Sequence, residues 1–184
     1  MTANQVKRLT IKTFWDGRPL DHDPVELCIS SGPDGASIKV DVRAPIFNDP
    51  GCPASPAKQP CDELWEYEVV EVFFLGESER YLEVEFCPAP LAYSAFNVIY
   101  FSHGQHLVLL LDRQRNKFKD KLAIDYSATI DEKNKTWTGS AVIPMEYFPP
   151  SVIKINAFAI HGSGENRQYE ALYPASNDFP APDL

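Results

Sequence analysis

Apolar and polar residues alternate with a period of two along most of the chain, and this alternation limits the fold more than any other feature. It is typical of strands with one buried face. Turn-forming Pro, Gly, Asn and Asp recur at short intervals, and 16 prolines argue against long helices. We expect ten strands: Val6–Phe14, Val25–Ser30, Ser37–Ala44, Trp65–Leu75, Arg80–Cys87, His106–Asp112, Leu122–Ile130, Thr136–Ile143, Ile153–His161 and Gln168–Leu172. The pattern predicts an all-β fold, an antiparallel β-sandwich with little helix beyond a turn at Met145–Phe148.

The chain is expected to form one domain. Its 184 residues suit a single unit, and no internal repeat is visible. We predict a β-sandwich over residues 1–175 and a disordered tail over 176–184, where Pro and Asp are frequent. The stretch Asp49–Pro60 holds four prolines and is expected to be a surface loop.

Acidic residues are concentrated in one segment. The formal net charge is −9, and the segment from Asp62 to Phe86 holds nine acidic residues and one basic residue, Arg80. This balance argues against binding to nucleic acid or to anionic membranes, which requires clustered Lys and Arg. No apolar stretch approaches the ~20 residues of a membrane span, and the first residues lack a signal peptide. We expect a cytoplasmic protein, with the nucleus as an alternative.

The four cysteines give no evidence of a metal site or of disulfides. Cys28, Cys52, Cys61 and Cys87 form no C-x-x-C pair and have no histidine at zinc spacing. In a reducing compartment disulfides are not expected. Cys28 and Cys87 lie in apolar runs, which predicts buried structural thiols.

The pattern of the acidic segment predicts a β-hairpin. Leu82, Val84 and Phe86 share one face of its second strand, and Glu83 and Glu85 share the other. In the first strand the apolar set is Val70, Val72 and Phe74, and the alternate set is Trp65, Tyr67 and Glu71. If the apolar set faces the core, Trp65, Tyr67 and Glu71 lie together with Glu83 on the opposite face. A bulge at residues 69–70 would instead bury Trp65, and the pattern leaves both arrangements open.

Aromatic rings beside a carboxylate on a sheet surface suit carbohydrate recognition. Flat rings stack on the apolar face of a sugar, and carboxylates accept hydrogen bonds from its hydroxyl groups. The alternative is that Trp65 fills the core while the glutamates face water.

Longer motifs resemble a known family. The segments 63–75 (ELWEYEVVEVFFL) and 81–88 (YLEVEFCP) resemble the core hairpin of family 9 carbohydrate-binding modules, which are DOMON-like β-sandwiches, and 137–144 (WTGSAVIP) resembles a second element of that group. The closer resemblance is to the family typified by human chromosome 4 open reading frame 33. It rests on 14–17 (FWDG), 64–71 (LWEYEVVE), 104–111 (GQHLVLLL), 147–150 (YFPP), 158–162 (FAIHG) and 169–174 (YEALYP). The resemblance implies the sandwich fold and no established activity. Relative to that family, residues 89–102 are expected to be an insertion, and the family continues beyond the position of Leu184.

The resemblance also implies binding residues. In the sugar-binding modules two tryptophans enclose the ligand and a glutamate binds it; Trp65 and Glu71 match the first tryptophan and that glutamate. The second tryptophan has no counterpart, and Tyr169, with Asn166 nearby, is the nearest candidate. We add Glu83 from its place on the same face.

The sequence favours a non-catalytic binding module for a carbohydrate or another small polar ligand. Two alternatives remain: a protein-interaction module whose acidic hairpin face binds a basic partner, and a glycoside hydrolase that uses a carboxylate pair among Glu71, Glu83 and Glu85. No catalytic residue, metal ligand or cofactor is assigned. His161, at the end of an apolar strand beside Gly162, is expected to be hydrogen-bonded structure rather than a ligand or proton shuttle.

Overall fold

Two antiparallel sheets form the protein in the computed structural model, which describes residues 6–53, 60–77, 80–88, 105–112, 117–122 and 124–174. The strands are β1 (Lys7–Ile11), β2 (Thr13–Phe14), β3 (Val25–Ser31), β4 (Ser37–Pro45), β5 (Val69–Gly76), β6 (Arg80–Cys87), β7 (Gln105–Asp112), β8 (Lys117–Lys121), β9 (Asp125–Asp131), β10 (Thr136–Pro144), β11 (Val152–His161) and β12 (Gln168–Ala171). Three 3-10 helices of three residues each cover Leu64–Glu66, Met145–Tyr147 and Gly164–Asn166. The expected all-β fold is confirmed.

The first sheet has five strands in the order β1-β3-β4-β10-β9, and the second has seven in the order β2-β12-β11-β5-β6-β7-β8. The core lies between them and is formed by the apolar side chains at alternate positions of the strands. Its largest fully buried side chains include Trp137, Phe74, Phe86, Ile29 and Leu82. At ~25 cal/mol per Å² of apolar surface, this burial is the main stabilising contribution to the fold.

In the β5–β6 hairpin the apolar set of each strand points into the core, which is the first of the two arrangements that the sequence left open. Val72 lies opposite Val84, and Glu71 lies opposite Glu85. Val70, Val72 and Phe74 of β5 join the core between the sheets, so Glu71 and its β6 neighbours Glu83 and Glu85 lie on the outer face.

The observed strands differ from the expected ones in four places. β8 (Lys117–Lys121) was not expected, and the strand expected over 122–130 begins at Asp125. The strand expected over 65–75 begins only at Val69, because Leu64–Glu66 form a 3-10 helix that follows Glu63 in the left-handed region (φ 54°). The strand expected over 6–14 is divided: β1 pairs with β3 in the first sheet, whereas β2 pairs with β12 in the second.

A second apolar cluster lies on the outer face of the seven-stranded sheet. Leu64, Val69, Phe73, Phe158 and Ile160 are buried there. Cys52, Cys61 and Cys87 are buried in the same cluster, whereas Cys28 is only half-buried and departs from the expectation of a buried thiol. The expected surface loop Asp49–Pro60 therefore contributes at least one buried side chain, Cys52, to this cluster.

Residues 54–59 and the expected insertion at 89–102 and tail at 176–184 lie outside the described residues. Within the described part of the chain, no helix combines the length and the hydropathy needed to cross a membrane.

Candidate functional site

Three carboxyl groups meet on the outer face of the β5–β6 hairpin. Cross-strand pairing places Glu71 opposite Glu85 and Phe73 opposite Glu83, and each carboxyl group has an oxygen within 4.8 Å of the others. Glu71 and Glu85 are buried and Glu83 is half-buried. We refer to Glu71, Glu83 and Glu85 as the carboxyl cluster.

Burial and mutual repulsion raise the pKa values of the carboxyl cluster. Loss of hydration raises the pKa of Glu71 to about 8, repulsion from Glu83 adds to the rise, and Arg167 opposes it. Loss of hydration raises the pKa of Glu83 to about 7, and a hydrogen bond from Glu85 limits that rise. Glu85 has its pKa raised to about 10, first by burial and then by Glu71 and Glu83. The cluster therefore holds protons near neutral pH and presents both donors and acceptors.

Trp65 precedes Glu71 by six positions in the chain and lies outside strand β5. It is the middle residue of the 3-10 helix Leu64–Glu66, whose Leu64 is buried in the outer-face cluster. The side chain of Trp65 remains 37% exposed. An exposed indole is available for stacking, which a tryptophan inside the core would not be.

Arg167 connects the predicted site residues. Its guanidinium group donates hydrogen bonds to the carbonyl oxygens of Trp65 and Glu66, the latter over 3.2 Å. It lies over the ring of Tyr169, 5.7 Å from the ring centroid, and its charge lowers the pKa of Glu71 against the other effects. A single cation thus links the 3-10 helix, β12 and the carboxyl cluster.

Tyr169 and Asn166 differ in how they relate to the site. Tyr169 is half-buried and packs on the outer-face cluster. Asn166 is exposed at the end of the 3-10 helix Gly164–Asn166 and is joined to the site through its neighbour Arg167. Gly162 shapes this turn: it has φ 79°, and a Cβ there would lie 2.2 Å from the carbonyl oxygen of Asn166.

Trp15 is an aromatic residue on this face that the sequence analysis did not assign. It packs on the same outer-face cluster as Tyr67, Tyr81 and Tyr169. Its backbone N–H donates to the carbonyl oxygen of Tyr169 over 2.9 Å. The motif at 14–17 that carries the family resemblance contains this tryptophan, but only the pairing of β2 with β12 brings it beside Tyr169.

A groove lies on the outer face of the five-stranded sheet. This groove has a volume of about 530 Å³. Its lining is polar and charged and includes Arg8, Lys39, Asp41, Arg43 and Thr138, without an aromatic side chain. It offers hydrogen bonds but no stacking platform, and the sequence analysis did not predict it.

Two groups among the described residues have side-chain atoms close enough to share a metal ion. One is the carboxyl cluster, and the other consists of His22, His161 and Glu170. In the second group, Nε2 of His161 lies 2.9 Å from Oε1 of Glu170.

The fold is an antiparallel β-sandwich of two sheets, and a solved structure shares it. A solved structure from Bacteroides uniformis ATCC 8492, described as a "putative carbohydrate-binding protein", superposes with a TM-score of 0.56 and 15% identity, covering 96% of this chain and 80% of that chain. At this identity the likeness shows the fold.

The sequence relatives give the family. The chain is 46% identical over 165 residues to the human UPF0462 protein C4orf33, which covers 89% of this chain and 74% of the relative. It is 47% identical to the homologue from Mus musculus, over 89% of this chain and 77% of the relative, and 45% identical to that from Danio rerio, over 91% and 77%. The chain belongs to the UPF0462 (C4orf33) family, as its motifs predicted. No protein-family model matches it.

Proposed function

We propose that the protein is a non-catalytic binding module whose ligand is a carbohydrate, held on the outer face of the β5–β6 hairpin. Trp65 stacks on the sugar ring, and Glu71 and Glu83 hydrogen-bond its hydroxyl groups. Tyr169 supplies the second ring and Asn166 a polar contact at the edge. The fold of the solved carbohydrate-binding-like structure supports the same class of ligand.

The observation that carries the proposal is the exposed indole of Trp65, on a 3-10 helix that Arg167 joins to the partly protonated carboxyl groups. Sugars present apolar C–H faces together with hydroxyl groups that both donate and accept. A ring at 37% exposure suits the C–H face. Carboxyl groups with pKa values raised to about 7 and about 8 can accept from some hydroxyls and donate to others.

The two alternative functions receive less support from the geometry. Hydrolases hold their two carboxyl groups ~5 Å or more apart, with room for the glycosidic bond between them. Here oxygens of Glu71, Glu83 and Glu85 lie within 4.8 Å of one another, and Glu85 is fully buried. For the interaction module, Glu68, Glu71 and Glu85 are buried and add little to a charged surface.

Titration with a panel of soluble oligosaccharides of glucose, xylose, mannose and N-acetylglucosamine tests the proposal. We expect Trp65→Ala to weaken binding of the sugar that binds best by about two- to tenfold, the energy of one stacked ring being about 0.5 to 1.5 kcal/mol. Met145→Ala is the control, because Met145 is exposed to a similar extent, at 42%, and lies in the 3-10 helix that follows β10 of the other sheet.

A second control addresses the polar groove of the other sheet. Arg43→Ala changes that groove and should leave sugar binding as in the wild type. Binding that survives Trp65→Ala but is lost in Arg43→Ala would contradict the proposed site. A folded wild type that binds none of the panel would contradict the proposed ligand class.

A further inference from the structure

The second metal-compatible group lies at one end of the core, away from the carboxyl cluster. His161 ends β11, and Glu170 lies in β12, which pairs with it. Glu170 is fully buried, although it carries a carboxyl group. His22 comes from the segment between β2 and β3 and approaches the same carboxyl group.

Both imidazole rings are directed at one oxygen atom. Nε2 of His161 lies 2.9 Å from Oε1 of Glu170, and Nε2 of His22 lies 3.2 Å from the same oxygen. Phe47 covers the group: it stacks on His161 with ring centroids 3.7 Å apart and meets His22 edge-on at 5.0 Å. The aromatic cover shields these polar atoms from water.

The hydrogen bonds of His22 leave Nε2 without a proton in the neutral ring. Nδ1 of His22 lies 2.9 Å from the carbonyl oxygen of Asp23 and must donate to it, since a carbonyl only accepts. Nε2 of His22 and Oε2 of Glu170 are buried and have no hydrogen-bond partner among the described residues. In the neutral ring a nitrogen lone pair therefore faces a carboxylate oxygen at 3.2 Å, an arrangement that is repulsive unless a bound cation, or a proton on one of the two groups, offsets it.

We propose that His22, His161 and Glu170 bind a divalent transition-metal ion, with Zn²⁺ as the ion that this ligand set suits best. Two imidazole nitrogens and one carboxylate oxygen are a common zinc ligand set, with a fourth position left for another group. Ligands ~2.0 Å from a tetrahedral zinc ion are ~3.3 Å from one another, close to the 2.9 and 3.2 Å separations observed.

The surroundings of the group are those of a metal site. The Asp23 carbonyl fixes the His22 ring through Nδ1, as outer hydrogen bonds commonly do for zinc-bound histidines. A small cavity of about 10 Å³ lies beside His161 and Glu170 and is lined also by Phe47 and Glu68. The bound ion would join the connection between β2 and β3 to the β11–β12 pair and stabilise this end of the sandwich.

Calorimetric titration of the chelator-treated full chain with ZnCl₂ tests the site. We expect one Zn²⁺ per chain, and a rise in Tm of the wild type on adding Zn²⁺. Glu170→Gln should weaken binding by more than about tenfold, since even indirect changes to a zinc site cost ten- to a hundredfold. His22→Ala, at a half-buried position, should do the same and serves if Glu170→Gln does not fold.

Two further variants test the competing places for zinc. Glu85→Gln probes the carboxyl cluster, and Cys52→Ser probes the buried thiols, because Cys52 is hydrogen-bonded to Cys87. Loss of zinc binding in either of these, with retention in folded Glu170→Gln and His22→Ala, would overturn the proposal. A folded wild type that binds no Zn²⁺ would also overturn it. In that case a protonated histidine would supply the positive charge that faces the Glu170 carboxylate.

Discussion

At the scale of single residues, the carboxyl groups of the hairpin are the most informative feature. The sequence places nine acidic residues between Asp62 and Phe86, which suggests a strongly charged surface. The structure buries Glu71 and Glu85 on the sheet, where the pKa values rise to about 8 and about 10. These two groups are neutral over much of the neutral pH range, so the net charge of the folded protein is smaller in magnitude than the formal −9.

The raised pKa of Glu71 predicts a pH-dependent stability. The ordinary pKa is 4.5 and the folded value is about 8, so the folded state retains a proton that the unfolded chain releases. Folding stability therefore falls as pH rises through this window. Glu71→Gln removes the ionisation and should be more stable than the wild type by about 4 kcal/mol at pH 8 but by only about 1 kcal/mol at pH 5. Urea unfolding at both pH values measures this.

Glu132→Gln is the control for that experiment, because Glu132 is exposed. It should leave the pH dependence as in the wild type. If Glu71→Gln shows the same loss of stability between pH 5 and pH 8 as Glu132→Gln, Glu71 is not a buried acid in solution.

At the scale of elements, one buried carboxylate holds the loop that follows β4. Glu68 is buried, and its carboxylate accepts hydrogen bonds from the backbone N–H groups of Phe47 at 3.1 Å, Asn48, and Asp49 at 3.4 Å. Burial raises the pKa of Glu68, and these backbone bonds oppose the rise. The far side of the loop is tied to the turn after β11, where Gly162 N–H donates to the Asp49 carbonyl over 2.6 Å.

Glu68→Ala should therefore destabilise the protein by about 1 to 2 kcal/mol, because three partly buried backbone N–H groups lose their common acceptor. Amide hydrogen exchange at Phe47 and Asn48 should accelerate more than exchange in β10. Glu66→Ala, two residues earlier at an exposed position, is the matched control. Equal exchange rates and equal stabilities in the two variants would show that Glu68 does not hold the loop.

The elements also show what the sequence could and could not predict. Period-two alternation located most strands and correctly paired β5 with β6, since each has one clear apolar face. It placed Trp65 in the strand, because the alternate spacing of Trp65, Tyr67 and Glu71 continues through a 3-10 turn whose backbone geometry the pattern does not encode. The alternation also predicted β1 and β2 as one strand, because the chain passes from one sheet to the other near Lys12 without a break in the pattern.

The candidate site shows the same limit of prediction from a single sequence. Glu71 and Glu83 were predicted from one hairpin, where local spacing sets their neighbours. Trp15 and Arg167 join the same face through the pairing of β2 with β12 and through hydrogen bonds to residues about 100 positions away. Such contacts depend on the order of strands in the sheet, which a single sequence does not determine.

At the scale of the whole molecule, the two faces of the seven-stranded sheet have different roles. The inner face supplies half of the core between the sheets. The outer face carries a second apolar cluster, and the carboxyl cluster adjoins it, since Glu71 lies between Val69 and Phe73 on β5 and opposite Phe158 on β11. The five-stranded sheet has a polar groove on its outer face instead. The central claim is that sugar binds on the aromatic and acidic outer face.

Indole N–H signals in ¹H–¹⁵N NMR spectra test that claim most directly, because the three tryptophans occupy three different environments. On adding the oligosaccharide that binds best, the signals of Trp65 and Trp15 should shift, whereas that of Trp137, 1% exposed inside the core, should stay in place. Shifts confined to backbone signals of the polar groove, such as those of Arg43 and Thr138, with the Trp65 signal unchanged, would contradict the account.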